Sequence, residues 1–244
     1  MKKVFLVLFL LLFGTPLVAV ADPYTFSTSS GTLAASADFT LSGTHLIVTL
    51  TNTSSSDVLV PTDVLTAVFF TLAGNPSLGR VSAVLGAGSS VFYDPDGQPA
   101  DGIVGGEWAY LSGIVAPGGA NQGISSSGLG LFGGANFPGS DLANPLALDG
   151  LQYGILSAGD NTATGNPGGI LGSGGLIKNS VVFTLSGLTE AFVADASTIT
   201  NISFQYGTDL AEPNIPTVPE PATMLLLGFG LIGMAAFARR KLKR

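Results

Sequence analysis

Apolar and polar residues alternate with a period of two in several stretches of the chain. Residues 37–42 place Ala, Phe and Leu at odd positions and Asp, Thr and Ser at even positions, and stretches 46–50, 181–186 and 202–206 alternate in the same way. Alternation of this kind, in segments rich in Val, Thr, Phe and Ile, predicts half-buried strands. Residues 64–72 are nearly all apolar, which predicts a central strand.

The arrangement of these strands favours a mostly β domain. Few windows show helical periodicity, and Gly- and Ser-rich turns separate the short strands. We predict an antiparallel β-sandwich that is jelly-roll-like, with long Gly-rich loops. The loops are expected in residues 112–175, which hold 18 glycines. The side chains expected to pin these loops over the sandwich are Leu131, Phe132, Phe137, Leu146 and Leu148.

The first 21 residues have the parts of a signal peptide. Two lysines open the segment, ten apolar residues follow, and Ala19 and Ala21 supply the small residues that signal peptidase requires. We predict an N-terminal signal helix over residues 1–21 that directs export through the Sec machinery and is then removed. The exported domain is expected to span residues 22–212.

A second apolar stretch lies near the other end of the sequence. Residues 222–238 carry no charge, and a helix of this length would extend about 25 Å, close to the thickness of a bilayer core. Residues 239–244 are basic, and such a cluster stays on the cytoplasmic side of a membrane. The predicted stop-transfer residues are Arg239, Arg240, Lys241, Lys243 and Arg244. We therefore predict a transmembrane helix with the exported domain on the far side.

A short proline-rich stem, residues 213–221, precedes the predicted helix and ends in Val218, Pro219, Glu220 and Pro221. In this order, the motif, the short apolar span and the basic end resemble the PEP-CTERM sorting signal of Gram-negative bacteria. The resemblance implies that exosortase, a membrane-embedded cysteine transpeptidase, recognises the tail and cuts it near the Pro-Glu-Pro motif. A permanent single-pass anchor is the alternative.

The same resemblance extends weakly into the exported part. Residues 40–55 and 201–213 are similar to the opening hairpin and the closing strand of exported β-domains that carry this tail. The resemblance implies a protein that is transiently anchored in the membrane and then released to, or attached at, the cell surface or the extracellular matrix. It implies no enzymatic activity.

Composition excludes several kinds of chemistry. The chain has no cysteine and one histidine, which excludes thiolate metal sites, iron–sulfur clusters and cysteine catalysis. The formal net charge is −7, and residues 22–221 alone carry −14 because most basic residues lie at the two ends. This acidic balance argues against binding of nucleic acid through its phosphates.

The densest acidic cluster contains Asp94, Asp96 and Asp101. Their carboxylates are possible ligands for Ca²⁺, although the spacing departs from that of an EF-hand loop. The alternative is a pair of ordinary turns, since Asp-Gly sequences serve the backbone geometry of turns.

An aromatic group supplies the other candidate site. Trp108 and Tyr110 are possible stacking partners for a sugar ring, and Glu107 is a possible partner for its hydroxyls. The alternative is that Trp108 anchors the core, as a single tryptophan in a sandwich commonly does. His45 is expected to be solvated or at a strand end, and no nucleophile-elbow motif accompanies it.

These observations favour an exported, non-enzymatic protein of the cell surface or extracellular matrix that is sorted and processed by exosortase. The alternative is a secreted carbohydrate-binding module, associated with exopolysaccharide through Trp108 and Tyr110. A hydrolase is a third hypothesis, and it would require several acidic side chains to converge in one pocket.

Overall fold

A computed structural model of the chain describes residues 22–94, 96–143, 148, 150–167, 169–192, 194–195 and 197–217. The described residues form mostly β-structure, with four single-turn 3₁₀ helices and thirteen strands. The strands are β1 (Tyr24–Ser30), β2 (Leu33–Ser42), β3 (His45–Asn52), β4 (Leu65–Leu72), β5 (Gly79–Leu85), β6 (Ser90–Phe92), β7 (Ala109–Ser112), β8 (Gln122–Ser125), β9 (Ile155–Leu156), β10 (Leu176–Lys178), β11 (Ser180–Ser186), β12 (Ile199–Tyr206) and β13 (Asn214–Pro216).

The predicted signal helix and the predicted transmembrane helix, residues 1–21 and 222–238, lie outside the described residues. Within the part of the chain that the structure describes, no helix has the length and apolar character needed to cross a membrane.

Five strands form the first sheet in the order β1-β2-β3-β11-β5, and every neighbouring pair is antiparallel. Two-residue turns join β1 to β2 and β2 to β3. Gly31 and Gly43 occupy the first central positions of these turns, each with a φ of 59°. Glycine is favoured there because two-residue hairpin turns require a positive φ. His45 begins β3, as predicted.

The second sheet has the order β13-β12-β4-β9-β10-β6, and β8 pairs with both β4 and β7. Most pairs are antiparallel, but β9 and β10 run parallel, with Ile155 opposite Ile177. The sheet is therefore mixed, and the prediction of a purely antiparallel arrangement is wrong for this pair. The parallel pair arises because the Gly-rich chain between the two strands returns to the same end of the sheet before β10 begins.

One apolar core contains residues from both sheets. Ala37 and Phe39 of β2 and Phe183 of β11 are fully buried, which confirms the faces predicted from the alternation. The rings of Phe39 and Phe70, from the first and second sheets, meet edge to face with centroids 5.3 Å apart. Such pairs contribute about 0.5 to 1.5 kcal/mol beyond the burial of their area.

The described part of the Gly-rich segment, within residues 112–175, covers the face of the second sheet that points away from this core. Phe69 of β4 stacks on Phe132 of this segment at 6.3 Å, whereas Phe137 is buried in the core between the sheets, 5.5 Å from the Phe183 ring. The prediction for this segment is long loops, but the segment also contains two strands, β8 and β9. Gly123 of β8 is required at its position, since a Cβ there would stand 2.7 Å from the Phe69 ring. As a result β4 is buried on both faces, which confirms it as a central strand.

The predicted stem is also partly folded. Residues 214–216 form β13 and pair with β12, so the folded part extends beyond residue 212 and includes residues predicted as stem. The alternation in 213–217 is too short for sequence reasoning to detect as a strand, and its pairing depends on the neighbouring strand.

Candidate functional site

The described chain ends at a fixed point beside β1. The backbone N–H and Oγ1 of Thr217 both donate to the carbonyl oxygen of Ile202, at 2.9 and 3.2 Å. Oγ1 of Thr28 in β1 donates to the carbonyl oxygen of Pro216 at 3.1 Å. These three bonds hold the last described residues on the sheet, so the chain continues into Val218 from a defined place.

Three groups of predicted functional residues lie outside the part of the chain that the structure describes. They are the signal-cleavage residues Ala19 and Ala21, the sorting motif Val218, Pro219, Glu220 and Pro221, and the stop-transfer residues Arg239, Arg240, Lys241, Lys243 and Arg244. Their roles stay predictions.

The predicted calcium ligands occupy two adjacent turns. Oδ1 of Asp94 accepts the N–H of Asp96 at 2.8 Å, and the Asp94 carbonyl accepts the N–H of Gly97, whose φ is 88°. Asp101 is exposed in the next turn with a φ of 54°. These bonds confirm the interpretation of the stretch as turns, in which Asp and Gly serve the backbone.

Only two of the three predicted ligands meet in one place. Asp94 and Asp96 line a surface pocket of about 220 Å³ together with Asp141 and Tyr153, and Asp101 does not line it. Across the described residues, no group of three or more His, Cys, Asp or Glu side chains is arranged to hold a metal ion. Calcium binding at these carboxylates stays a prediction.

The phenol of Tyr153 donates a hydrogen bond to the Asp94 carboxylate. Burial raises the pKa of Tyr153, and the hydrogen bond and charge of Asp94 raise it further. The phenol therefore stays protonated and acts as a donor. The bond ties the turn at Asp94 to the Gly-rich segment that carries Tyr153.

Glu107 lies next to this pocket, because it binds the backbone of Leu142, which lines the pocket. Its Oε1 accepts that N–H and also the N–H of Ala143 at 2.7 Å, and only 3% of the residue is exposed. Burial raises the pKa of Glu107 from 4.5 to about 7, and the hydrogen bond and charge of Asp141 act in the same direction. Near neutral pH the carboxyl is therefore partly protonated.

Two glycines bring Glu107 to this position. A Cβ on Gly105 would stand 1.9 Å from the carbonyl oxygen of Pro138, and one on Gly106 would stand 2.1 Å from that of Ser140. No side chain fits between these two backbone segments. The Gly-Gly pair lets the chain that carries Leu142 pass close enough to bond with Glu107.

We expect Gly106→Ala to destabilise the fold by at least about 1 kcal/mol, because the new methyl meets backbone atoms that must move. Urea unfolding monitored by circular dichroism measures the loss. Gly133→Ala is the control, since a Cβ at Gly133 meets no atom within 4 Å. Equal stability of the two variants would contradict the close approach at Gly106.

The structure contradicts the predicted sugar contact at Trp108 and Tyr110. Trp108 is fully buried with its ring 4.9 Å from that of Phe183, and Tyr110 is 2% exposed. The hydroxyl of Tyr110 donates to Oε1 of Gln122 at 2.8 Å, so it is used inside the domain. Neither ring offers a face to a sugar, and the carboxylate of Glu107 binds backbone rather than sugar hydroxyls. The core-anchor alternative for Trp108 is confirmed.

Glu107 and Asp141 form one acidic pair, and Asp57 and Asp160 form a second. The second pair joins the Gly-rich segment to the loop after β3. Asp160 is 5% exposed and its Oδ1 accepts the N–H of Val58 at 2.9 Å. Burial raises the pKa of Asp160, and the hydrogen bond and charge of Asp57 add to this effect. Oδ2 of Asp57 accepts from Oγ1 of Thr164 at 2.6 Å, and this bond is the largest cause that lowers the pKa of Asp57. Lys178 Nζ donates to the Asp160 carbonyl oxygen at 2.7 Å.

Sequence reasoning did not find the pairing of Glu107 with Asp141 or of Asp94 with Tyr153. Each pair joins residues that are far apart in the sequence, so only the tertiary fold brings them together. One local signal was present, because Gly105 and Gly106 directly precede Glu107 and adjacent glycines mark a close approach of backbone.

Comparison with known proteins gives one match, to the family model described as the PEP-CTERM protein-sorting motif, over residues 217–241. No curated protein and no solved structure matches the chain. The matched segment begins at Thr217, the last residue that the structure describes, and it includes the Pro-Glu-Pro motif, the apolar stretch and Arg239. This motif supports exosortase-dependent sorting of an exported protein. The C-terminal segment of the chain, residues 217–241, therefore carries the PEP-CTERM protein-sorting motif.

Proposed function

We propose that this chain is an exported structural protein without catalytic activity, which exosortase processes and delivers to the cell surface or the extracellular matrix. Residues 1–21 direct its export, and residues 222–238 hold it in the membrane until the tail is cut. The observation that carries the proposal is the sorting-motif match at residues 217–241.

The position of the fold relative to the motif supports this proposal. Thr217, the last described residue, is held by the sheet, and the Pro-Glu-Pro motif begins two residues later at Pro219. A cut near Pro219 therefore removes no strand of the described domain. The folded part survives processing with all its hydrogen bonds.

We infer that the domain itself is a jelly-roll-like sandwich. Support comes from the path of the chain, which crosses from the first sheet to the second at β4, returns at β5, and crosses again at β6, β11 and β12. Repeated crossing between two sheets with a shared core is typical of such sandwiches.

The use of the acidic side chains supports a structural role. Glu107 accepts backbone N–H groups, Asp94 accepts from a backbone N–H and from Tyr153, and Asp57 holds a loop through Thr164. Each of these carboxylates is committed to fastening a turn or a loop. We infer that they stabilise an exported domain that has no disulfide bonds, since the chain has no cysteine.

Intact-mass measurement of the protein from cells that make exosortase tests the proposal. We expect the mature chain to begin at Asp22 and to lack residues 222–244. Replacing Pro219, Glu220 and Pro221 together with alanine should retain the tail, whereas Glu190→Ala, at an exposed acidic residue of the domain, should leave processing unchanged. A mature chain that reaches Arg244 in wild-type cells would contradict processing.

A further inference from the structure

The chain leaves the folded domain at an edge that carries no charge. We define the exit edge as residues 27–32, which include the end of β1 and its turn, together with Pro216 and Thr217. The bond from Thr28 to Pro216 joins these two parts. Ser27, Ser29, Ser30 and Thr32 are exposed there. The exit edge is therefore a hydroxyl-rich surface beside the point where the chain continues toward the sorting motif.

The absence of charge at this edge stands out against the rest of the domain. Residues 22–217 contain fifteen acidic and two basic residues, a formal net charge of −13. In contrast, the stretches that form the exit edge and the adjoining parts of the strands beside it contain no Asp, Glu, Lys, Arg or His. These stretches are residues 27–37, 196–208 and 213–217. The carboxylate that bonds to β1 is that of Asp38 in β2, which accepts from Thr25 and so lies about 10 Å along the strand from Thr28. That separation exceeds the screening length of about 8 Å at physiological salt.

The chain outside the described residues limits how far this edge can be from a membrane. Five residues separate Thr217 from Ala222, where the predicted apolar span begins. Fully extended, they reach at most about 18 Å. While the protein is tethered, Thr217 must stay within that distance of the start of the predicted span, so the exit edge beside it is the part of the domain whose distance from the bilayer is most limited.

We propose that the exit edge is the surface that rests on the lipid headgroups of an anionic bilayer while the tail is still attached. This inference rests on the proposed function, because it needs the anchor at residues 222–238. An acidic domain is repelled by an anionic surface, so the orientation with the fewest carboxylates at the contact is favoured. The serine and threonine hydroxyls of the edge donate hydrogen bonds to phosphate oxygens of the headgroups.

Single-cysteine labelling tests this orientation, since the chain has no cysteine of its own. The full chain is placed in vesicles of phosphatidylethanolamine and phosphatidylglycerol, with a fluorophore on Ser29→Cys and a quencher attached to the headgroups. Ser27→Cys is a second position on the exit edge. Val81→Cys is the control, because it is 42% exposed on β5, at the opposite edge of the first sheet.

We expect quenching at least about two-fold stronger at Ser29→Cys and Ser27→Cys than at Val81→Cys, because quenching falls with distance from the headgroups. Adding Ser30→Asp should weaken quenching at Ser29→Cys in these anionic vesicles and have less effect at high salt. Equal quenching at the two edges, in protein that floats with the vesicles, would overturn the inference alone. Protein that does not float with the vesicles would instead contradict the anchor and the proposed function. Self-quenching between Ser29→Cys labels would identify a second copy of the chain as the occupant and would also overturn the inference.

Discussion

Replacing Trp108 with alanine is expected to reduce the free energy of unfolding by about 3 to 5 kcal/mol, the range for large buried aromatic side chains. Trp108 is fully buried and contacts the Phe183 ring, which links β11 of the first sheet to the chain next to β7. Alanine would leave a cavity between the sheets. A loss of this size is a large fraction of the stability of an ordinary domain.

Two further variants separate packing from other effects. Nε1 of Trp108 has no hydrogen-bond partner among the described residues, so Trp108→Phe removes no bond and should cost much less than alanine. Val115→Ala is the surface control, since Val115 is 88% exposed. Urea unfolding followed by far-ultraviolet circular dichroism measures all three variants. A Trp108→Ala protein with wild-type stability and a lost affinity for polysaccharide would restore the sugar-binding hypothesis.

The strands of the core could be predicted because burial imposes a period of two on the sequence. Phe39 and Phe183 point into the core and the side chains next to them in the strand point away from it. The alternation along the sequence therefore predicts which side chains face the core. The all-apolar run of β4 was predictable for a related reason, since both of its faces are covered. In each case the pattern lies within a few consecutive residues, so the strand can be predicted without knowing which residues it packs against.

The remaining features depend on residues that are distant in the sequence. β8 has the sequence Gln-Gly-Ile-Ser, which has little preference for a strand, and it becomes one because β4 and β7 pair with it on either side. The exposure of Trp108 was equally ambiguous, since a single aromatic residue has the same appearance in a core and in a binding face. Asp141 comes next to Glu107 only through the close approach at Gly105 and Gly106.

The sorting signal could be predicted from the sequence and the acidic pocket could not, for a physical reason. The parts of the sorting signal follow one another in the sequence, so its motif, apolar stretch and basic residues can be recognised in order along residues 217–241. The acidic pocket beside Tyr153 is lined by three separate stretches of the chain, and its composition gives no linear pattern. Sequence reasoning therefore identified the sorting motif more readily than the internal use of the carboxylates.

The second large effect concerns pH. The folded protein holds Glu107 with a pKa raised to about 7, whereas the unfolded chain has the ordinary value near 4.5. Between these values the folded state binds more protons than the unfolded state, so the contribution of this group falls as pH rises. It is most favourable below pH 4.5, declines up to about pH 7 and is constant above that. The total change from this single group is on the order of 1 to 3 kcal/mol.

We expect Glu107→Gln to be more stable than the wild-type protein at about pH 8 and nearly equal to it at about pH 4, because glutamine cannot ionise. Its amide oxygen still accepts the N–H groups of Leu142 and Ala143, and its NH₂ donates to Asp141, so the local bonds are kept. Urea unfolding across this pH range measures the difference between the two proteins. Taking the difference cancels the opposite effect of carboxylates with lowered pKa values, such as that of Asp195.

Glu190→Gln is the matched control, since Glu190 is exposed and its substitution removes the same charge from the domain. If general repulsion within the acidic domain caused the loss of stability at high pH, both variants would gain equally. If burial beside Asp141 is the cause, only Glu107→Gln gains, and its advantage grows between about pH 4.5 and pH 7 and then stays level. A Glu107→Gln protein that is destabilised to the same extent at every pH would show that the pKa of Glu107 is the same in the folded and unfolded states, and would contradict the raised pKa.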